Sequence, residues 1–198
     1  MTSTPKIILS VVALCLPAVA LAHVGQGDLS GGLKAGFMHP ISGLDHVLAM
    51  VAVGLWGAQL GKPAIWVLPV TFPLVMCIGG VMGVLGVPLH GIEIGIALSA
   101  LVLGAMVTLA LRPPLWLAGL IVALFAICHG YAHGAELPQS ANPLTFAMGF
   151  VCATGLLHAC GILIGSIYRW RAGRVALRAG GTAIAVGGLY FLNIALAG

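Results

Sequence analysis

From Ile41 to Ala197 the chain passes through long apolar segments with almost no charge inside them. The approximate spans are Ile41–Leu60, Ala64–Leu85, Ile92–Leu111, Leu115–Tyr131, Leu144–Tyr168 and Val175–Ala197. Each is close to the ~20 residues an α-helix needs to cross the hydrocarbon core of a bilayer. The separators are short and turn-like: "GKP", "GVPLHG", "RPP", "HGAELPQSANP" and "RWRAGR". Apolar residues are continuous instead of alternating, which argues against barrel strands. Charged residues are 6% of the chain and the mean hydropathy is +1.15. A soluble domain carries about 25% charged residues, so this chain cannot cover a water-facing surface. The expected fold class is all-α: a polytopic membrane protein with a six-transmembrane-helix bundle. The small-xxx-small pairs Gly79/Gly83, Gly91/Gly95 and Gly161/Gly165 are read as close helix contacts.

The first residues are read separately. Residues 1–22 have Lys6, a short apolar core from Ile7 and a small-residue ending at Ala20 and Ala22. That is the build of a cleaved secretory signal, with an uncleaved anchor as the alternative. Leu14 before Cys15 is not the small residue that lipoprotein cleavage prefers. Cleavage after Ala22 leaves residues 23–198 as the transmembrane domain, with His23 as its N-terminus. Cys77, Cys128, Cys152 and Cys160 fall in apolar segments without a CxxC pair, and are read as unpaired, buried small hydrophobes.

Charge orients the bundle. Lys62, Arg112, Arg169, Arg171, Arg174 and Arg178 fall on one side, and Asp28, Lys34 and Glu136 on the other. Lys and Arg are retained on the cytoplasmic side, so both termini are expected outside, as an export signal also requires. The arginine cluster is read as a topology determinant and headgroup contact, with no nucleic-acid partner.

That orientation puts His23, His39, His46, His90, His129 and His133 at or near the outer face, with Asp45 and Glu93 beside them. His158, fifteen residues beyond Pro143, lies roughly 22 Å inward at helical rise. His39 and His46 are two turns apart, read as one face of a helix that starts at Pro40. His46/Met50 and His129/His133 are i, i+4 pairs, and His90/Glu93 is an i, i+3 pair. Imidazole and carboxylate suit a divalent first-row metal, Zn²⁺ and Cu²⁺ as well as Ni²⁺ and Co²⁺, with Asp45 or Glu93 able to take a second imidazole N–H. A lone histidine at an interface is more often a headgroup or water contact. Six of seven on one side, with two embedded carboxylates, favour a shared site. His23 would offer an α-amine and an imidazole together, a chelating arm. Ser99 reads as a helix-packing hydroxyl. Pro69 and Pro73 interrupt the second span and imply kinked packing or a polar cavity beside it.

At these residues the chain resembles the HupE/UreJ family of nickel and cobalt permeases. The similarity rests on "HPISGLDHVLAM", "GIEIGIALS", "HGYAHGAE" and "ATGLLHACG", with the leading signal, the "AH" after it and the six-helix plan. It implies secondary uptake of Ni²⁺, or sometimes Co²⁺, toward hydrogenase or urease assembly. Carried over by motif, His39, Asp45, His46 and Glu93 become the principal metal-handling residues, followed by His129, His133, Glu136 and His158.

No nucleotide-binding loop is present, so direct use of ATP is not expected, nor is a tightly bound cofactor. The metal ion and the lipid bilayer are the expected partners, homo-oligomerisation being open. The expected site is the bacterial inner membrane, and the protein is not expected to be an enzyme. Other classes compete: an intramembrane enzyme, with a metal at the outer site activating water or Ser99 paired with a histidine; a haem-binding electron carrier; and a metal-binding accessory protein. "HExxH" and a G-x-S-x-G elbow are both lacking.

Overall fold

The computed structural model describes residues 29–137 and 142–197. The signal segment and His23 therefore lie outside the described residues. The described chain is helical: α1 (Leu29–Ser42), α2 (Leu44–Leu60), α3 (Ala64–Val84), α4 (Ile92–Leu109), α5 (Leu115–Ala135), α6 (Pro143–Gly165), a 3₁₀ turn (Ser166–Arg169) and α7 (Arg171–Ala197). Five helices are long and apolar enough to cross a membrane, and a bent α1–α2 pair would make a sixth. The protein is a multi-pass helical membrane protein, with exposed leucines, valines and tryptophans such as Trp66, Leu74 and Trp116 on the bundle surface.

The bent pair corrects the expected first span. Instead of one helix carrying "HPISGLDH", the chain turns through 81° between α1 and α2. Pro40 lies inside α1, not at a helix start, so the N–H that would bond the Gly36 carbonyl is missing. The Ser42 hydroxyl then donates to the His39 carbonyl at 2.7 Å, and Gly43 is extended at φ −92°, ψ 110°. Helix restarts at Leu44 with Asp45 in its first turn, where a carboxylate faces the positive end of the helix dipole. A Cβ on Gly43 would stand 2.9 Å from Asp45 Oδ1 and 3.0 Å from His46 Nδ1. His39 and His46 thus belong to different helices.

Glycines set the other contacts. Gly79 and Gly83 of α3 lie against the Ile127 and Tyr131 carbonyls of α5, and Gly130 and Gly134 lie against the Met76 and Gly80 carbonyls of α3; a methyl group at any of the four would collide with backbone. Gly54 of α2 and Gly161 of α6 face each other in the same way. Gly104 of α4 meets Gly181 and Ala185 of α7. The expected Gly79/Gly83 and Gly161/Gly165 contacts are present. Gly91 differs: it caps α4 in the left-handed region at φ 73° with open space around it, while Gly95 meets Cys128.

α2 occupies the middle, and nearly its whole length from Val47 to Gln59 is buried. At one end, Trp56 Nε1 donates to the Leu111 carbonyl (3.0 Å), Gln59 Nε2 to Val107 (3.1 Å) and Arg178 Nε to Thr108 (2.8 Å). Arg112 lies over the Tyr168 ring there. The arginines expected on one side thus gather at one end. At the other end, the Tyr131 hydroxyl donates to the Val87 carbonyl (2.7 Å). The cysteines depart from expectation: Cys77 and Cys152 are exposed on the outer surface, Cys128 is half-buried and Cys160 is in a disulfide.

Candidate metal centre

Local sequence explains why two histidines of α5 point inward. In "HGYAHG" each histidine precedes a glycine, and Gly130 and Gly134 face α3. One residue is about 100° around a helix, so His129 and His133 turn together toward the bundle axis. His129 is fully buried and His133 is 7% exposed. The Gly43 break brings His46 to the same place from α2. Its ring centroid is 4.7 Å from that of His129 and 4.5 Å from that of His133. One nitrogen from each of the three rings can be chosen so that all lie within 4.8 Å of one another.

Hydrogen bonds decide which nitrogens are available. The Asp45 carboxylate accepts from His46 Nδ1 (2.9 Å) and from the His46 backbone N–H (2.9 Å). That bond places the proton on Nδ1 and leaves the lone pair on Nε2, which is buried with no partner. Ser99 of α4 has one hydrogen, given to the Ile96 carbonyl at 2.5 Å. Its contact with His129 Nε2 at 2.9 Å is then accepted by Oγ, and the His129 lone pair is on Nδ1, likewise buried and unpartnered. Neither nitrogen of His133 has a partner among the described residues. Buried polar atoms are ordinarily bonded, so three close imidazoles that each keep an unpartnered nitrogen among the described residues have the chemistry to hold a Lewis acid. Asp45 and Ser99 stand behind two of them and fix their tautomers, as carboxylates and hydroxyls do behind metal-bound histidines.

A second group adjoins the first. His39 Nε2 of α1 is 3.3 Å from Glu136 Oε2 at the C-terminal end of α5. His39, His133 and Glu136 form a triplet of the same compactness, with Glu136 exposed and His133 common to both groups. His39 and His133 meet edge to face at 4.8 Å, backed by Phe146 and Phe150 of α6. Beside them a crevice of about 410 Å³ between α3, α5 and α6 reaches the outer surface past Val81 and Val151. Its walls are apolar apart from His133, whereas His39 and Glu136 place polar atoms beside the cluster.

Not every expected residue joins. Glu93 is exposed in the first turn of α4, and His90 is exposed in the segment before it, so the two are not paired on one helix. His158 is in α6, 2% exposed, with both nitrogens unpartnered, against the edge of Phe72. Met50 is fully buried one turn beyond His46. Two contributors go beyond the sequence reading: Ser99 as an acceptor that orients His129, where the sequence suggested a packing hydroxyl or an enzyme's serine–histidine pair, and Gly43 as the hinge. A buried hydroxyl three residues beyond Ile96 on α4's inner face is the available signal for Ser99. Ser99 spends its hydrogen on a carbonyl and accepts from the imidazole. A nucleophilic serine requires the reverse, its hydroxyl donating to the histidine.

The fold and site define a polytopic membrane protein with a cluster of imidazoles buried between its helices. The chain belongs to the HupE/UreJ family: the family described as "HupE / UreJ protein" matches residues 11–191. It is 43% identical over 187 residues to "Protein HupE" of Rhizobium leguminosarum bv. viciae, covering 94% of this chain and 97% of that relative. No solved structure matches it.

Proposed function

We propose that this protein is a secondary permease that carries a divalent transition-metal ion, Ni²⁺ or Co²⁺, from the periplasm across the bacterial inner membrane. In this reading the signal segment is cleaved, both termini are outside and His23 collects metal at the mature N-terminus. The delivered ion serves hydrogenase or urease maturation, in keeping with the family. The observation that carries the reading is the set of bare nitrogens on His46, His129 and His133, oriented by Asp45 and Ser99.

Transport then follows the order of burial. His39 and Glu136 receive the ion at the mouth, where Glu93 adds negative charge to the same end of the bundle. His133 belongs to the outer and the inner triplet alike, so it hands the ion inward by exchanging ligands one at a time. Three neutral imidazoles hold a divalent ion without a closed cage, and moderate binding is what allows it to leave again. His158 takes it farther in. Ligand type does not separate Ni²⁺ from Zn²⁺ or Cu²⁺, and the choice of nickel or cobalt rests on the family. Uptake into proteoliposomes, measured across competing divalent ions, tests the proposal. Ni²⁺ or Co²⁺ should accumulate inside, and His46→Ala should abolish accumulation in protein that remains folded. Vesicles that exclude every divalent ion while the protein stays folded would defeat it.

A further inference from the structure

The two buried histidine stations are not in contact. Gly54 of α2 lies against the His158 backbone, and it is eight residues beyond His46, about 12 Å along the helix. Between the levels is Phe72 of α3, fully buried. Its ring centroid is 5.4 Å from that of His129 and 5.4 Å from that of His158. One aromatic ring therefore touches the last imidazole of the outer cluster and the inner imidazole together. Nothing polar on that ring can replace an ion's lost ligands, and apolar constrictions of this kind close conduction paths.

The segment bearing Phe72 is also the least tied part of α3. Pro69 and Pro73 flank it inside the helix. Neither has an N–H, so the Ile65 and Pro69 carbonyls lack their helical partners. Both ring nitrogens of His158, on the far side of Phe72, are buried without a partner among the described residues. An unpartnered imidazole thus lies beyond the barrier, and the two prolines are where α3 can bend.

We infer that Phe72 is the internal gate of the pathway, separating the His46–His129–His133 cluster from an inner cation station at His158. This rests on the permease reading for its purpose, but the barrier itself can be measured without transport. A bending of α3 at Pro69–Pro73 would withdraw the ring from between the two stations. The two prolines inside α3 thereby have a use, as in transporters whose discontinuous helices carry the ion site.

The full-length protein and its Phe72→Ala, Phe72→Leu and Phe72→Trp variants should be treated with diethylpyrocarbonate, and modification of His158 followed by mass spectrometry. Co²⁺ absorption in the same samples reports the outer cluster. Expected is Co²⁺ binding within about twofold of wild type in every variant that folds, since Phe72 supplies no ligand. His158 should be modified about tenfold faster in Phe72→Ala, less so in Phe72→Leu, while Phe72→Trp should pass metal into proteoliposomes about tenfold more slowly than wild type, as expected for an apolar constriction made wider or narrower. Phe72→Leu serves if Phe72→Ala does not fold. Equal modification of His158 in wild type and the folded small variants, or a Phe72→Trp protein transporting at the wild-type rate, would overturn the gate. If wild type neither binds nor carries metal but His158 is still uncovered by the small variants, the permease reading fails and the barrier stands.

Discussion

Replacing Ser99 by alanine removes a single oxygen, and its consequences can be followed atom by atom. In the folded protein Ser99 Oγ accepts from His129 Nε2 at 2.9 Å while its own hydrogen goes to Ile96. Without it, a fully buried N–H has no acceptor, at a cost of about 1–3 kcal/mol. His129 escapes part of that cost by moving its proton to Nδ1, the nitrogen left without a partner among the described residues. A metal ion must then force the proton back and leave Nε2–H unsatisfied. Loss of an outer-shell partner of this kind lowers metal affinity by about 10–100-fold, equivalent to roughly 1.4–2.7 kcal/mol. Titration of the detergent-purified protein with Co²⁺, followed by visible absorption, measures the affinity, and thermal unfolding without metal measures the cost to the fold. Affinity should drop by that factor, with a modest loss of stability. An affinity within about twofold of wild type would show that Ser99 does not set the His129 tautomer, and the argument from hydrogen bonds would fail for that ligand.

Four more outcomes follow from the same geometry. Asp45→Asn leaves His46 with an amide that can offer either an oxygen or an N–H, so affinity and uptake should drop by about 10–100-fold, read by the same titration and by vesicle uptake. Gly130→Ala places a methyl group against the Met76 carbonyl and should destabilise the α3–α5 contact by about 1–3 kcal/mol, seen as earlier thermal unfolding. Gly119→Ala, where a Cβ meets nothing within 4 Å, should be neutral or stabilising by up to about 1 kcal/mol. Glu136→Gln should weaken uptake mainly at low metal and spare the maximal rate, because Glu136 is exposed at the mouth and outside the inner triplet. An equal loss at saturating metal in a kinetic series would contradict that placement.

Periodicity made the membrane helices and the inward pair on α5 legible. The i, i+4 spacing of His129 and His133, each followed by glycine, contains both the direction of the imidazoles and the reason α3 can approach so closely. The break at Gly43 was harder to see. The local signals, Pro40 and Gly43, compete with an apolar run long enough to suggest one span, and the outcome depends on how α1 packs against α6. Its effect is to deliver His46 to the α5 histidines from a second direction, which spacing along a single helix could not show. Ser99 illustrates the other limit. Its role depends on a partner thirty residues away, and nothing in its own neighbourhood distinguishes a hydroxyl that packs helices from one that orients a ligand. Glu93 shows the converse: a carboxylate in the right segment is exposed in the first turn of α4, where it can attract a cation to the mouth but is in neither triplet.

Metal K-edge X-ray absorption on Ni²⁺- or Co²⁺-loaded protein tests most directly whether the buried cluster is the place where the ion is held. The account predicts a first shell containing imidazole nitrogens from His46, His129 and His133, no sulfur, and loss of imidazole scattering in His129→Ala. A shell of oxygen atoms alone, or one unchanged by that substitution, would contradict it.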